Sequence, residues 1–120
     1  MKRIVTLVAI LILASCAKQP DLIQRFCSAP VFQATLSGKS REIVELENEG
    51  RALATRNPHG AQVPFGRAHQ TWLKLKGAYR EGDTIRAFIL NGLNGRPHMA
   101  GYALSRDGCI VETMVTEVSD

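Results

Sequence analysis

The chain has 120 residues, 45% of them hydrophobic, with 15 Lys and Arg against 11 Asp and Glu and a formal net charge of +4. Two of the 15 basic residues, Lys2 and Arg3, precede an apolar run from Ile4 to Leu13, and removing them leaves 13 against 11. That near balance strips the pI of about 9.3 of any meaning as a basic patch, so no nucleic-acid partner is expected. A chain of this size makes one compact domain, burying roughly two-thirds of its surface.

A positive start, an apolar stretch and a small-residue end form the pattern of a secretory signal, too short to cross a hydrocarbon core of about 30 Å as a stable helix. The closing residues Leu13-Ala14-Ser15-Cys16 resemble the lipobox of bacterial lipoproteins. The resemblance implies that residues 1–15 are a signal peptide that is removed. It also implies that Cys16 carries a diacylglycerol and that its new amine is acylated as well. At about 0.8 kcal/mol per buried methylene, two or three chains would make the anchor effectively permanent. Ala17 stands where such proteins carry an aspartate when they are retained at the inner membrane. A cell-envelope location on the periplasmic face of the outer membrane is therefore implied, with the lipid on Cys16 as the membrane contact.

With Cys16 committed to lipid, Cys27 and Cys109 remain as the one possible pair in an oxidising compartment. A disulfide across 82 positions is expected. Free thiols or a metal pair are the alternative, but two lone cysteines without a nearby histidine make a poor zinc site.

Residues 16–26 read as the lipidated cysteine followed by a polar tether containing Pro20, and 27–120 as a single globular domain. Extended, the tether reaches about 30 Å. From Pro30 to Leu36 the residues alternate, with Phe32, Ala34 and Leu36 on one side, as a half-buried strand does. Gly38 ends it. Ser40 is placed to cap a helix over 41–56 whose Ile43, Leu46, Gly50, Leu53 and Ala54 form one stripe. Glu45 and Glu49 face away, and Glu47 and Arg51 are spaced as a supporting pair. Asn57-Pro58-His59-Gly60 ends the helix.

A second helix is expected over 67–79, because Ala68, Trp72, Leu75 and Tyr79 share a stripe. Glu81-Gly82-Asp83 turns the chain into an apolar strand over 84–90, broken only by Arg86. Asn91-Gly92 and Asn94-Gly95 mark a loop over 91–97, exposed and able to recognise a partner or merely to connect strands. Asp107-Gly108 then closes a hairpin of strands 98–105 and 109–118 through a type I′ turn. With Arg106 opposite Cys109, Leu104 would face Val111, Tyr102 Thr113 and Ala100 Val115.

The chain carries no recognisable catalytic or cofactor motif, so neither a cofactor nor enzymatic activity is expected. Asp21 lies in the tether, Asp83 and Asp107 in turns and Asp120 at the terminus. His59, His69 and His98 lack ligand spacing, and no metal is expected. Ser37, Ser40 and Ser105 lack a nucleophile-elbow context. Pairs assembled from afar, such as His69 with Glu81 or His98 with Glu112, would be the route to a hidden site.

The fold expected is α+β: a small antiparallel sheet with both helices on one face and the other face open to a partner. Met99, Ala103, Ile110, Glu112, Met114 and Thr116 would occupy that open face. The stretch Trp72–Asp83, the strand after it and Gly101–Gly108 resemble short bacterial proteins with a helix, a Gly-Asp turn and a closing hairpin. That resemblance covers under half the mature chain and implies no activity. The functional expectation is a non-enzymatic envelope lipoprotein that binds or tethers another protein. The alternatives are an inhibitor or exclusion lipoprotein directed at an incoming enzyme or element, and a small envelope hydrolase.

Overall fold

The computed structural model describes residues 19–91 and 97–119; the leader 1–15, Cys16, positions 92–96 of the expected loop and Asp120 lie outside the described residues. In chain order the elements are β1 (Leu22–Arg25), β2 (Gln33–Ser37), α1 (Ile43–Thr55), a 3-10 turn (Gly66–Ala68) running into α2 (His69–Ala78), β3 (Thr84–Asn91), β4 (Pro97–Arg106) and β5 (Cys109–Val118). The strands make one antiparallel sheet in the order β1-β2-β3-β4-β5. The protein is therefore an α+β fold.

Leu46 from α1 and Trp72 and Leu75 from α2 pack with Ile85, Leu104 and Met114 of the sheet and with Phe65, forming a core on one face. The opposite face is closed too. There Ala34, Leu36, Phe88, Ala103 and Ile110 form a second buried cluster, because the sheet curls until its two edges meet. Phe26 bridges Ile110 in parallel, and the Cys27 N–H donates to the Ile110 carbonyl at 2.9 Å. Cys27 and Cys109 are joined by a disulfide at that seam. The expectation of an open second face is thus corrected: Ala103 and Ile110 are buried inside the curl, and Met114 is buried against the helices.

The tether reading of 16–26 changes as well, since Leu22–Arg25 pairs with β2 as the fifth strand. Arg86 is buried in the curl and donates to the carbonyls of Gly38 and Pro20, each at 2.8 Å. The Ser40 N–H donates to Gln19 Oε1, and Ser105 Oγ to Gln24 Oε1. The chain is fastened from Gln19 onward. The strand expected at 30–36 begins later, at Gln33. Residues before it make the hairpin turn, in which the Phe32 N–H donates to the Ala29 carbonyl and the Phe26 N–H to that of Phe32.

The closing turn has the expected left-handed residues, Asp107 at φ 52° and Gly108 at φ 84°, and Arg106 pairs with Cys109. Beyond it the register shifts between Leu104 and Ser105 and again between Ala100 and Gly101. Leu104 therefore faces Glu112, Tyr102 faces Met114 and Ala100 faces Glu117, in place of Val111, Thr113 and Val115. Each extra residue turns the following side chains to the other face and adds curl. At Gly101 a Cβ would stand 1.9 Å from the Met114 carbonyl oxygen, so this close crossing admits only glycine.

α1 starts at Ile43 rather than 41, with Glu42 in place of Ser40 as its N-cap, because the Arg41 N–H is drawn to the Ile85 carbonyl at 2.7 Å. The Glu42 N–H then donates to Glu45 Oε1. The expected pair of Glu47 with Arg51 is absent among the described hydrogen bonds and ion pairs. Glu47 instead accepts from Lys76 Nζ at 2.9 Å and Trp72 Nε1 at 3.3 Å, while Arg51 donates to Asn48.

Candidate functional site: a groove at the end of α1

Where α1 stops, the last carbonyls of a helix are left without intrahelical partners. Gln62 meets that need. Its Nε2 lies 2.8 Å from the Asn57 carbonyl, 3.0 Å from that of Gly60 and 3.3 Å from that of Ala54. The loop so fixed returns to the helix at Phe65, whose N–H donates to the Gly50 carbonyl at 3.0 Å. Phe65 has φ 66°, a left-handed backbone that costs a non-glycine residue about 1–2 kcal/mol. Its packing offsets this cost. The ring lies against Gly50, where a Cβ would come within 2.5 Å of it, and has its centroid 5.3 Å from that of Trp72 and 6.4 Å from that of Tyr102.

The return loop, the 3-10 turn and Thr116 of β5 enclose an open groove of about 560 Å³. Leu53, Ala54, Phe65 and Ala68 supply an apolar floor, and Asn57, His59, Arg67 and Thr116 a polar rim without a carboxylate. His59 and Arg67 are exposed. Thr116 Oγ1 donates to the Ala100 carbonyl at 3.3 Å. A neighbouring depression of about 410 Å³ shares Thr116 and is bordered by His98, Met99 and Glu117. The arrangement offers apolar contact at the bottom and positive charge at the edge.

The comparisons with family models, curated proteins and solved structures find no match.

The remaining expected site residues are dispersed. His69 does not reach the groove's lining; its Nδ1 lies 2.9 Å from the Pro64 carbonyl, beside the first turn of α2. His98 lies near Val118 and Ser119, whereas Glu112 stands opposite Leu104 several residues back along β5. Neither His69 with Glu81 nor His98 with Glu112 forms a contact among the described hydrogen bonds and ion pairs. Ser105 is buried on Gln24. Among the described residues no three His, Cys, Asp or Glu side chains gather as metal ligands.

Charged groups elsewhere bind helices to sheet. Arg41 pairs with Glu45 and Glu49 and lies 5.9 Å from the Tyr102 ring centre, and Tyr102 Oη donates to Glu49 at 3.2 Å. Burial, then the Glu49 carboxylate, raises the Tyr102 hydroxyl above its ordinary pKa. Lys76, then Trp72, holds the Glu47 carboxyl below the usual range. Arg106 grips Asp83 through two nitrogens at 2.9 and 2.7 Å and also donates to the Ala78 carbonyl. That grip lowers the Asp83 pKa, with the Arg80 N–H contributing less.

The groove is the feature that sequence reasoning misses. Its floor residues look like ordinary helix stripe and loop, and Gln62 carries no signal of its role. The one local cue is Gly50, a small residue amid larger ones on the buried stripe.

Proposed function

We propose that this is a lipid-anchored, non-enzymatic module of the bacterial envelope that binds or tethers a partner protein, held by Cys16 at the periplasmic face of the outer membrane. The Leu13-Ala14-Ser15-Cys16 sequence supports the anchor. The groove at the end of α1 carries the recognition reading. Its walls are fixed by Gln62 and by the Phe65–Gly50 contact, so little order remains to be imposed on binding. Its apolar floor and its rim of Arg67 and His59 suit a partner segment that presents an apolar side chain beside a carboxylate.

The test is site-specific crosslinking in intact cells, with a photoreactive residue at Leu53 in the floor and, as control, at Leu73 on exposed α2. A discrete adduct from position 53 that is lost on Arg67→Glu is the expected result. An adduct indifferent to Arg67→Glu, or none at 53, would remove the groove from the proposal.

A further inference from the structure

The helices cover the sheet only over β3, β4 and β5, so the β1–β2 end of the same face stands bare. Ile23, Thr35 and Ile89 form one cross-strand row there. Ile23 is 67% exposed, and the row borders a shallow hollow of about 210 Å³. Arg25, two residues along β1 and on the same face, is exposed as well. The turn of this hairpin presents Val31 at 83% and Phe32 at 62% exposure. Water is a poor partner for so much apolar surface in one short hairpin.

We infer that this hairpin face docks onto the lipid headgroups of the membrane that carries the anchor. The inference rests on the lipoprotein reading and adds a second, non-covalent contact to it. The argument is one of reach. Gln19 is held through its side chain by the Ser40 N–H, and the Pro20 carbonyl by Arg86, so four peptide steps separate Cys16 from the first fastened backbone. Fully extended, those steps span at most about 14 Å. The headgroup layer takes up roughly 5–8 Å of that distance. β1, the first element after the fastened residues, is left in contact with the interface. There Ile23 can enter the acyl boundary while Arg25 meets anionic headgroups.

The experiment uses the full chain, processed in cells and reconstituted into vesicles of phosphatidylethanolamine and phosphatidylglycerol containing brominated lipid. Trp72 is fully buried, so a tryptophan introduced by Ile23→Trp reports its own surroundings. Leu73→Trp on α2 is the control. Quenching of the introduced tryptophan should be roughly twofold or more stronger at 23 than at 73, since a docked face sits inside the headgroup boundary. Flotation and intact mass are read on the same samples. Acylated, vesicle-bound protein with equal quenching at positions 23 and 73 overturns the docking and leaves the anchor intact. Protein without acyl mass that stays off the vesicles overturns the lipoprotein reading, and the docking with it.

Discussion

Cys27 and Cys109 stand 82 positions apart in the chain and 5.0 Å apart between Cα atoms, and their bond lies where the first strand of the sheet returns to the last. The disulfide therefore staples a seam that, among the described residues, the backbone joins at that point through the Phe26–Ile110 bridge and the Cys27 N–H. Replacing both cysteines by serine should cost about 4–5 kcal/mol, the loop-entropy value for a closure of this length. Urea denaturation of the double variant, compared with the native protein with and without reductant, measures it. Reduced native protein should fall beside the variant.

Glycine substitutions should separate by what the missing Cβ would meet. Gly101→Ala puts a methyl group against the Met114 carbonyl and Gly50→Ala puts one into the Phe65 ring, each expected to cost about 2–4 kcal/mol. At Gly77, within α2, nothing lies within 4 Å. Alanine there should stabilise by about 0.5–1 kcal/mol. Thermal unfolding of the three variants side by side would give the ranking.

The Asp83–Arg106 pair predicts an acid limb to stability. The Asp83 side chain is 3% exposed, and the arginine holds its pKa below that of the unfolded chain. The pair's contribution is then complete above about pH 5 and is lost progressively as the pH falls below about 4. Asp83→Asn should lower the urea midpoint most at about pH 7 and by progressively less as the pH falls below about 4. A gap between the two proteins that does not narrow in acid would contradict the assignment.

Arg86 predicts a local effect. Its guanidinium holds Pro20 and Gly38 from inside the curled sheet, so Arg86→Met leaves two carbonyls without their donor, at about 1–3 kcal/mol. Hydrogen exchange should show the amides of residues 22–25 losing protection before those of β3 and β4. Uniform loss across the sheet would mean that Arg86 is a general core residue and not the clasp on β1.

Much of the architecture is legible in the sequence because it depends on local pattern. The α1 stripe and the Asp107-Gly108 turn follow from spacing and turn chemistry, and the pairing of Cys27 with Cys109 from the lipobox resemblance that sets Cys16 aside. What escapes is set by tertiary crowding. The two register shifts of the last hairpin arise where β4 and β5 bend around the second core, and only Gly101 hints at them. Leu22–Arg25 has too few residues to show a strand period, and its partners lie at β2 and in the buried Arg86. The groove depends on Gln62 and Phe65 meeting the backbone of α1, contacts between a loop and a helix that no periodicity encodes.

α1 has a consequence for the geometry of capture. It begins beside Ser40, which holds Gln19, and ends at the groove, so its 13 residues set the two about 18 Å apart. If the chain is tied down at Cys16, this rigid rod acts as a boom, presenting the groove at a constant offset from the lipid. Partners would then be selected by how far their acidic segment projects from the membrane as well as by its chemistry.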